Sequence, residues 1–94
     1  MTHYLDTLSQ SQDTLTLYTS AITRAHGTNH PEVFKVQDLY HAILKQGDLS
    51  SKANQLWQDM WILTNHFAIP SDVCPTFEKT YQQLAHLYQL FQHD

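Results

Sequence analysis

Glycine occurs at two positions only, Gly27 and Gly47, and proline at three, Pro31, Pro70 and Pro75. So few breakers exclude a loop-rich chain and leave long uninterrupted stretches between them. The single cysteine, Cys74, excludes an internal disulfide and any cysteine-based zinc cluster, and it fits a reducing, cytoplasmic setting. Charge is scarce too: Asp, Glu, Lys and Arg make up 15% of the chain, against about 25% in an average domain. Basic residues are the scarcest, with five Lys and Arg against nine Asp and Glu for a net charge of -4. With no basic cluster along the chain, binding to a nucleic-acid backbone is not expected. The longest hydrophobic run, residues 60–63, is four residues, far short of the roughly 20 that cross a bilayer. The opening MTHYLDTL lacks the basic-then-apolar order of a signal peptide, so neither export nor a membrane partner is expected.

What is present is apolar surface in helical rhythm. At 94 residues, 41% hydrophobic and 12% aromatic, the chain has material for one core and one domain, residues 1–94. A chain this short buries only about 60–65% of its unfolded surface, which favours association with a second copy or another protein.

The breakers divide it into four stretches. Residues 4–26 carry Leu5, Leu8, Leu15, Tyr18, Ile22 and Ala25 at helical spacing, although Thr14, Thr16, Thr19 and Thr23 lower the intrinsic propensity. Gly27 is placed to close this helix with a positive φ. Pro31 and Glu32 suit the first turn of a second helix ending at Gly47. A third starts near Asp48 or Ser50 and runs through Leu56, Met60, Leu63 and Phe67. A fourth starts near Asp72 with Pro75 in its first turn and carries Phe77, Tyr81, Leu84, Tyr88 and Phe91. Short links between four amphipathic helices predict an all-α, up-down four-helix bundle.

Seven histidines are the conspicuous excess: His3, His26, His30, His41, His66, His86 and His93. Metal sites in bundles take imidazoles and carboxylates at three- or four-residue spacing from facing helices. Here His26 and His30 straddle a helix break, while His86 and His93 lie seven apart on one helix. The two glutamates, Glu32 and Glu78, sit in first turns, where the helix dipole accounts for them. No HExxH, Glu-x-x-His or His-x-x-x-Glu spacing occurs. Cys74 lies near a helix start but has no paired base in the sequence, and Asp48, Ser50, Ser71 and Asp72 read as caps. Neither a catalytic residue nor an enzyme activity emerges. On the third helix, Trp57 and Trp61 lie beside the Leu56, Met60, Leu63, Phe67 stripe. They widen its apolar arc and make these two tryptophans the candidate interface with a protein partner or a second copy.

Two segments resemble a known family. His26-Gly27-Thr28-Asn29-His30-Pro31, followed by a helix with Tyr40, is similar to the HG-x-x-HP stretch of the RIC (repair of iron centres) proteins. The run Leu63-Thr64-Asn65-His66-Phe67-Ala68-Ile69-Pro70-Ser71-Asp72-Val73-Cys74-Pro75-Thr76-Phe77 is similar to that family's LT-x-x-[YF]-x-x-P-x-x-[AV]-C-x-T-[FW] signature. With Tyr81 and Leu84, the likeness spans most of residues 18–91. The resemblance implies a hemerythrin-like bundle, a non-haem di-iron centre, and a role in iron–sulfur cluster repair after nitrosative or oxidative stress.

Carried over residue by residue, His26 matches an iron-ligand position of the family. The first-helix ligand position falls at Leu5, and the family's His-x-x-x-Glu pairs and its amino-terminal cysteine domain have no counterpart. The resemblance therefore implies a short form that acts as an accessory or binding protein without an intact di-iron centre. The alternatives are a metal-binding protein, iron included, with a histidine site built from His26, His30, His86 or His93, or a purely structural or interaction bundle.

Overall fold

A computed structural model describes residues 3–93. Among them are five α-helices and no strand: α1 (His3–Gln10), α2 (Gln12–His26), α3 (Glu32–Gln46), α4 (Ser51–Leu63) and α5 (Pro75–His93). The all-α class agrees with the sequence reading; the count of four does not. The expected first helix is broken at Ser11, whose φ/ψ of -92°/1° leaves helical geometry. Its hydroxyl donates to the Thr7 carbonyl at 2.7 Å, the back-bonding that bends helices at serine. Backbone bonds still cross the break, from Ser11 N to Thr7 O and from Leu15 N to Ser11 O, both 2.9 Å.

The threonines that weaken α2 are accommodated in the same way. Thr19 and Thr23 donate to the carbonyls four residues back at 2.8 and 2.7 Å, so Thr19 is fully buried without leaving its hydroxyl unpaired. Gly47 closes α3 at φ +59°, as expected. Gly27 does not do the same for α2: its φ is -59°, and the glycine is required for space. A Cβ there would lie 2.6 Å from the Thr23 carbonyl oxygen and 2.8 Å from the Phe34 ring. Ser50 caps α4, its Oγ accepting from Ala53 N at 3.2 Å, while Asp48 accepts from Ser50 N at 3.0 Å.

Two boundaries fall elsewhere than expected. α4 stops at Leu63 rather than Phe67, because Asn65, His66 and Phe67 all take positive φ, between 53° and 63°. L-residues reach this region at a cost, and the turn is tied down: Thr64 Oγ1 accepts from Phe67 N at 3.0 Å, and His66 N donates to Trp61 O at 2.8 Å. It drives Phe67 back into the core, 6% exposed. α5 begins at Pro75, three residues later than expected, with proline at the position where its missing N–H costs nothing.

α3 packs between α2 and α4, and α5 packs against α1 and α2. Aromatic rings tie α4 to α5: Trp61 stacks on Tyr88 with centroids 4.9 Å apart, and Gln58 donates to the Tyr88 hydroxyl at 3.1 Å. The core is one cluster that includes Leu15, Ile22, Val33, Tyr40, Ile43, Met60, Phe77 and Leu84. Full burial of each such aliphatic side chain stabilises the fold by about 1.5–3 kcal/mol. The radius of gyration is 12.4 Å, close to the value that compact packing gives for a chain of this length.

Trp57 belongs to this core. It is fully buried, and its Nε1–H donates to the Tyr4 hydroxyl at 2.9 Å. The buried stripe of α4 is Ala53, Trp57 and Met60, continued by Thr64, one residue round from the expected seam; Leu56 and Leu63 are only partly buried. Burial of this indole rests on α1, whose Tyr4 hydroxyl accepts its N–H. Trp57 therefore presents no surface to a partner, whereas Trp61 is half-buried.

Candidate functional site

The α2–α3 link and the α4–α5 link, more than 40 residues apart in the chain, meet at one end of the molecule. Each carries one of the two segments singled out above. His26 ends α2, and its Nε2 lies 3.2 Å from Cys74 Sγ, just before α5. His30 is half-buried, and its backbone N–H donates to the His26 carbonyl at 2.7 Å. Its Nε2 is 2.9 Å from Asp72 Oδ1 and its Nδ1 is 3.3 Å from Glu32 Oε2. Only the imidazolium can donate from both nitrogens, and the Asp72 hydrogen bond is the chief cause that raises the His30 pKa above its ordinary value. Desolvation opposes it, and the Asp72 and Glu32 charges add to it. Phe77 forms the floor, edge-on to His26 at 5.3 Å and tilted against His30 at 5.6 Å.

The sequence alone shows no base beside Cys74. His26 stands beside it, a juxtaposition that no local spacing could reveal because 48 residues separate the two. Asp72, a cap by its position in the sequence, binds His30 in the structure. Glu32 keeps its first-turn place and also binds His30. The other histidines do not join the site. His3, His41, His86 and His93 are exposed, and His66 lies flat on Trp61, centroids 4.3 Å apart and planes 10° apart.

These residues do not fit a di-iron centre. The His26 imidazole is engaged with a thiol and an aromatic edge, and both nitrogens of His30 face carboxylates. Leu5, at the first-helix position, packs as a partly buried hydrophobe against the core. Among the described residues, no group of three or more His, Cys, Asp and Glu side chains is arranged to hold a metal ion. What the arrangement can do is clamp two links together through charge-assisted hydrogen bonds and hold a thiol within reach of an imidazole.

The all-helical fold with its two joined links defines a class only in outline, and no protein-family model or solved structure matches the chain. The chain is similar to the iron-sulfur cluster repair protein ScdA of Staphylococcus haemolyticus (strain JCSC1435), 27% identical over 119 residues. The match takes in 89% of this chain and 54% of ScdA, so the chain spans about half the length of that relative. This is distant, partial homology to an iron–sulfur cluster repair protein. An aligned stretch longer than the 94-residue chain also bridges positions that the relative has and this chain lacks. No helix among the described residues is long and apolar enough to cross a membrane.

Proposed function

We propose that the chain is an accessory or binding module linked to iron–sulfur cluster repair. In this reading it is a trimmed hemerythrin-like bundle that works in the cytoplasm through a protein partner or a second copy of itself, without enzymatic activity and without a di-iron centre of its own. The observation that carries the reading is the distant similarity to a cluster repair protein, which extends over 89% of this chain and so includes both linked segments. The arrangement of the matching residues supports the second half: His26, at the position that resembles an iron ligand, is turned onto Cys74. For the partner, α4 offers Trp61, half-buried, beside Ile62, 72% exposed.

Anaerobic incubation of the untagged chain with ferrous iron, followed by desalting, elemental analysis and optical spectroscopy, tests the metal branch. Less than one retained iron per chain is the expected result, and two tightly held irons with a di-iron absorption spectrum would overturn it. A damaged iron–sulfur enzyme, assayed for recovery in cell extract with and without added chain, tests the link to repair. Unchanged recovery across a range of chain concentrations counts against that link.

A further inference from the structure

α5 leaves one face uncovered. Gln82, His86, Gln89 and His93, spaced by four, three and four residues, are all exposed and fall on one stripe of the helix. No Asp, Glu, Lys or Arg occurs from residue 80 to residue 93, whereas α1 to α4 each expose charge, Asp6, Asp13, Asp38 and Asp59 among them. For two chains that each carry a net charge of -4, this stripe is where mutual repulsion is least. Grooves flank it on both sides. One, of about 460 Å³, reaches Trp61 on α4, and the other, of about 410 Å³, reaches Thr7 and Thr14 on α1 and α2.

The order of side chains along the stripe selects the occupant. Read from either end the spacing is the same, but the identities exchange: Gln, His, Gln, His one way and His, Gln, His, Gln the other. A second α5 laid antiparallel therefore sets Gln82 opposite the partner's His93 and His86 opposite the partner's Gln89, each pairing made twice by the two-fold axis. Every imidazole then meets an amide. A neutral imidazole offers one donor and one acceptor nitrogen, and the carboxamide offers both kinds of group as well, so each pair can hydrogen-bond. Gln82 already donates to Glu78 at 3.3 Å, which leaves its oxygen to accept. A parallel pairing would instead set each residue against its own kind and align the two helix dipoles, whereas the antiparallel one opposes them.

We infer that α5 is a self-association surface on which two copies of this chain pair antiparallel through Gln82, His86, Gln89 and His93, with the Trp61 groove at its margin. The inference rests on the second-copy branch of the proposed function and not on the link to cluster repair, so the two can fail separately.

Sedimentation equilibrium of the full chain, from about 10 µM to about 1 mM, tests it. The apparent mass should rise with concentration from 11.0 kDa towards twice that value. His86→Glu with Gln89→Glu brings like charges together across the axis and should raise the dimer Kd about tenfold or more. His86→Glu with Gln89→Lys opposes unlike charges only in the antiparallel pairing and should keep the Kd within about threefold of the wild type. Circular dichroism should show both double variants folded, since both positions are exposed. A chain that stays monomeric throughout, a Kd unmoved by the like-charged pair, or equal loss in the two double variants would overturn the pairing. The first of these outcomes would leave the α5 face to a different protein.

Discussion

Gly27 shows how a single missing methyl group holds two helices together. Its backbone is ordinary for any residue, at φ -59°, so substitution by alanine brings no dihedral penalty; the cost is contact with Thr23 O and the Phe34 ring. Gly27→Ala should destabilise the fold by about 1–3 kcal/mol, the usual range for overpacking, measured by urea unfolding. Adding Phe34→Ala should recover part of the loss, because that ring is 54% exposed and one of the two obstacles. Full recovery would contradict the Thr23 contact. The buried Trp57–Tyr4 bond makes a second case. Tyr4→Phe keeps the ring but takes away the oxygen that accepts from the indole, and should cost about 1–3 kcal/mol for a donor left unsatisfied. Unchanged stability would show that the indole N–H finds another acceptor.

At the level of elements, what the sequence disclosed followed locality. α3 was legible to within a residue, since Pro31, Glu32 and Gly47 mark its ends by local chemistry; the helix starts at Glu32, with Pro31 as its cap rather than in its first turn. α4 was legible at its Ser50 cap but not at its end, because a run of three left-handed residues at Asn65, His66 and Phe67 contains no glycine to announce it. The break at Ser11 was hidden inside an unbroken apolar rhythm. Of the site, His26 was visible as a family-matched position, whereas its pairing with Cys74 and that of His30 with Asp72 depend on how distant links fold together.

That pairing gives the links a pH dependence. The folded-state pKa of His30 is raised above 6.5, chiefly by the Asp72 hydrogen bond. The stability it contributes is therefore fully present below that value and is lost as pH rises through the higher folded-state value. From about pH 6 to about pH 8, the Tm of the wild type should fall relative to that of Asp72→Asn. Parallel curves for the two proteins would refute the clamp.

For the molecule as a whole, the histidines dominate the response to acid. Five of them, His3, His41, His66, His86 and His93, are exposed, and the net charge of -4 reaches zero near pH 5.9. Association is favoured where net charge vanishes, so light scattering should peak near that pH and fall on either side. Trp61→Ala should lower the peak while helical content is retained, if Trp61 and Ile62 form the contact surface. A peak of unchanged height would place the contact elsewhere.

The two indoles, one turn apart on α4, also make the chain its own optical probe. Trp57 reports on α1 through Tyr4, and Trp61 reports on the turn after α4 through His66. Acrylamide should quench the emission of Trp61 readily and that of Trp57 hardly at all. With each tryptophan replaced by phenylalanine in turn, one fluorimeter can therefore follow fraying of the amino-terminal helix and opening of the α4–α5 turn as separate events in the same unlabelled protein.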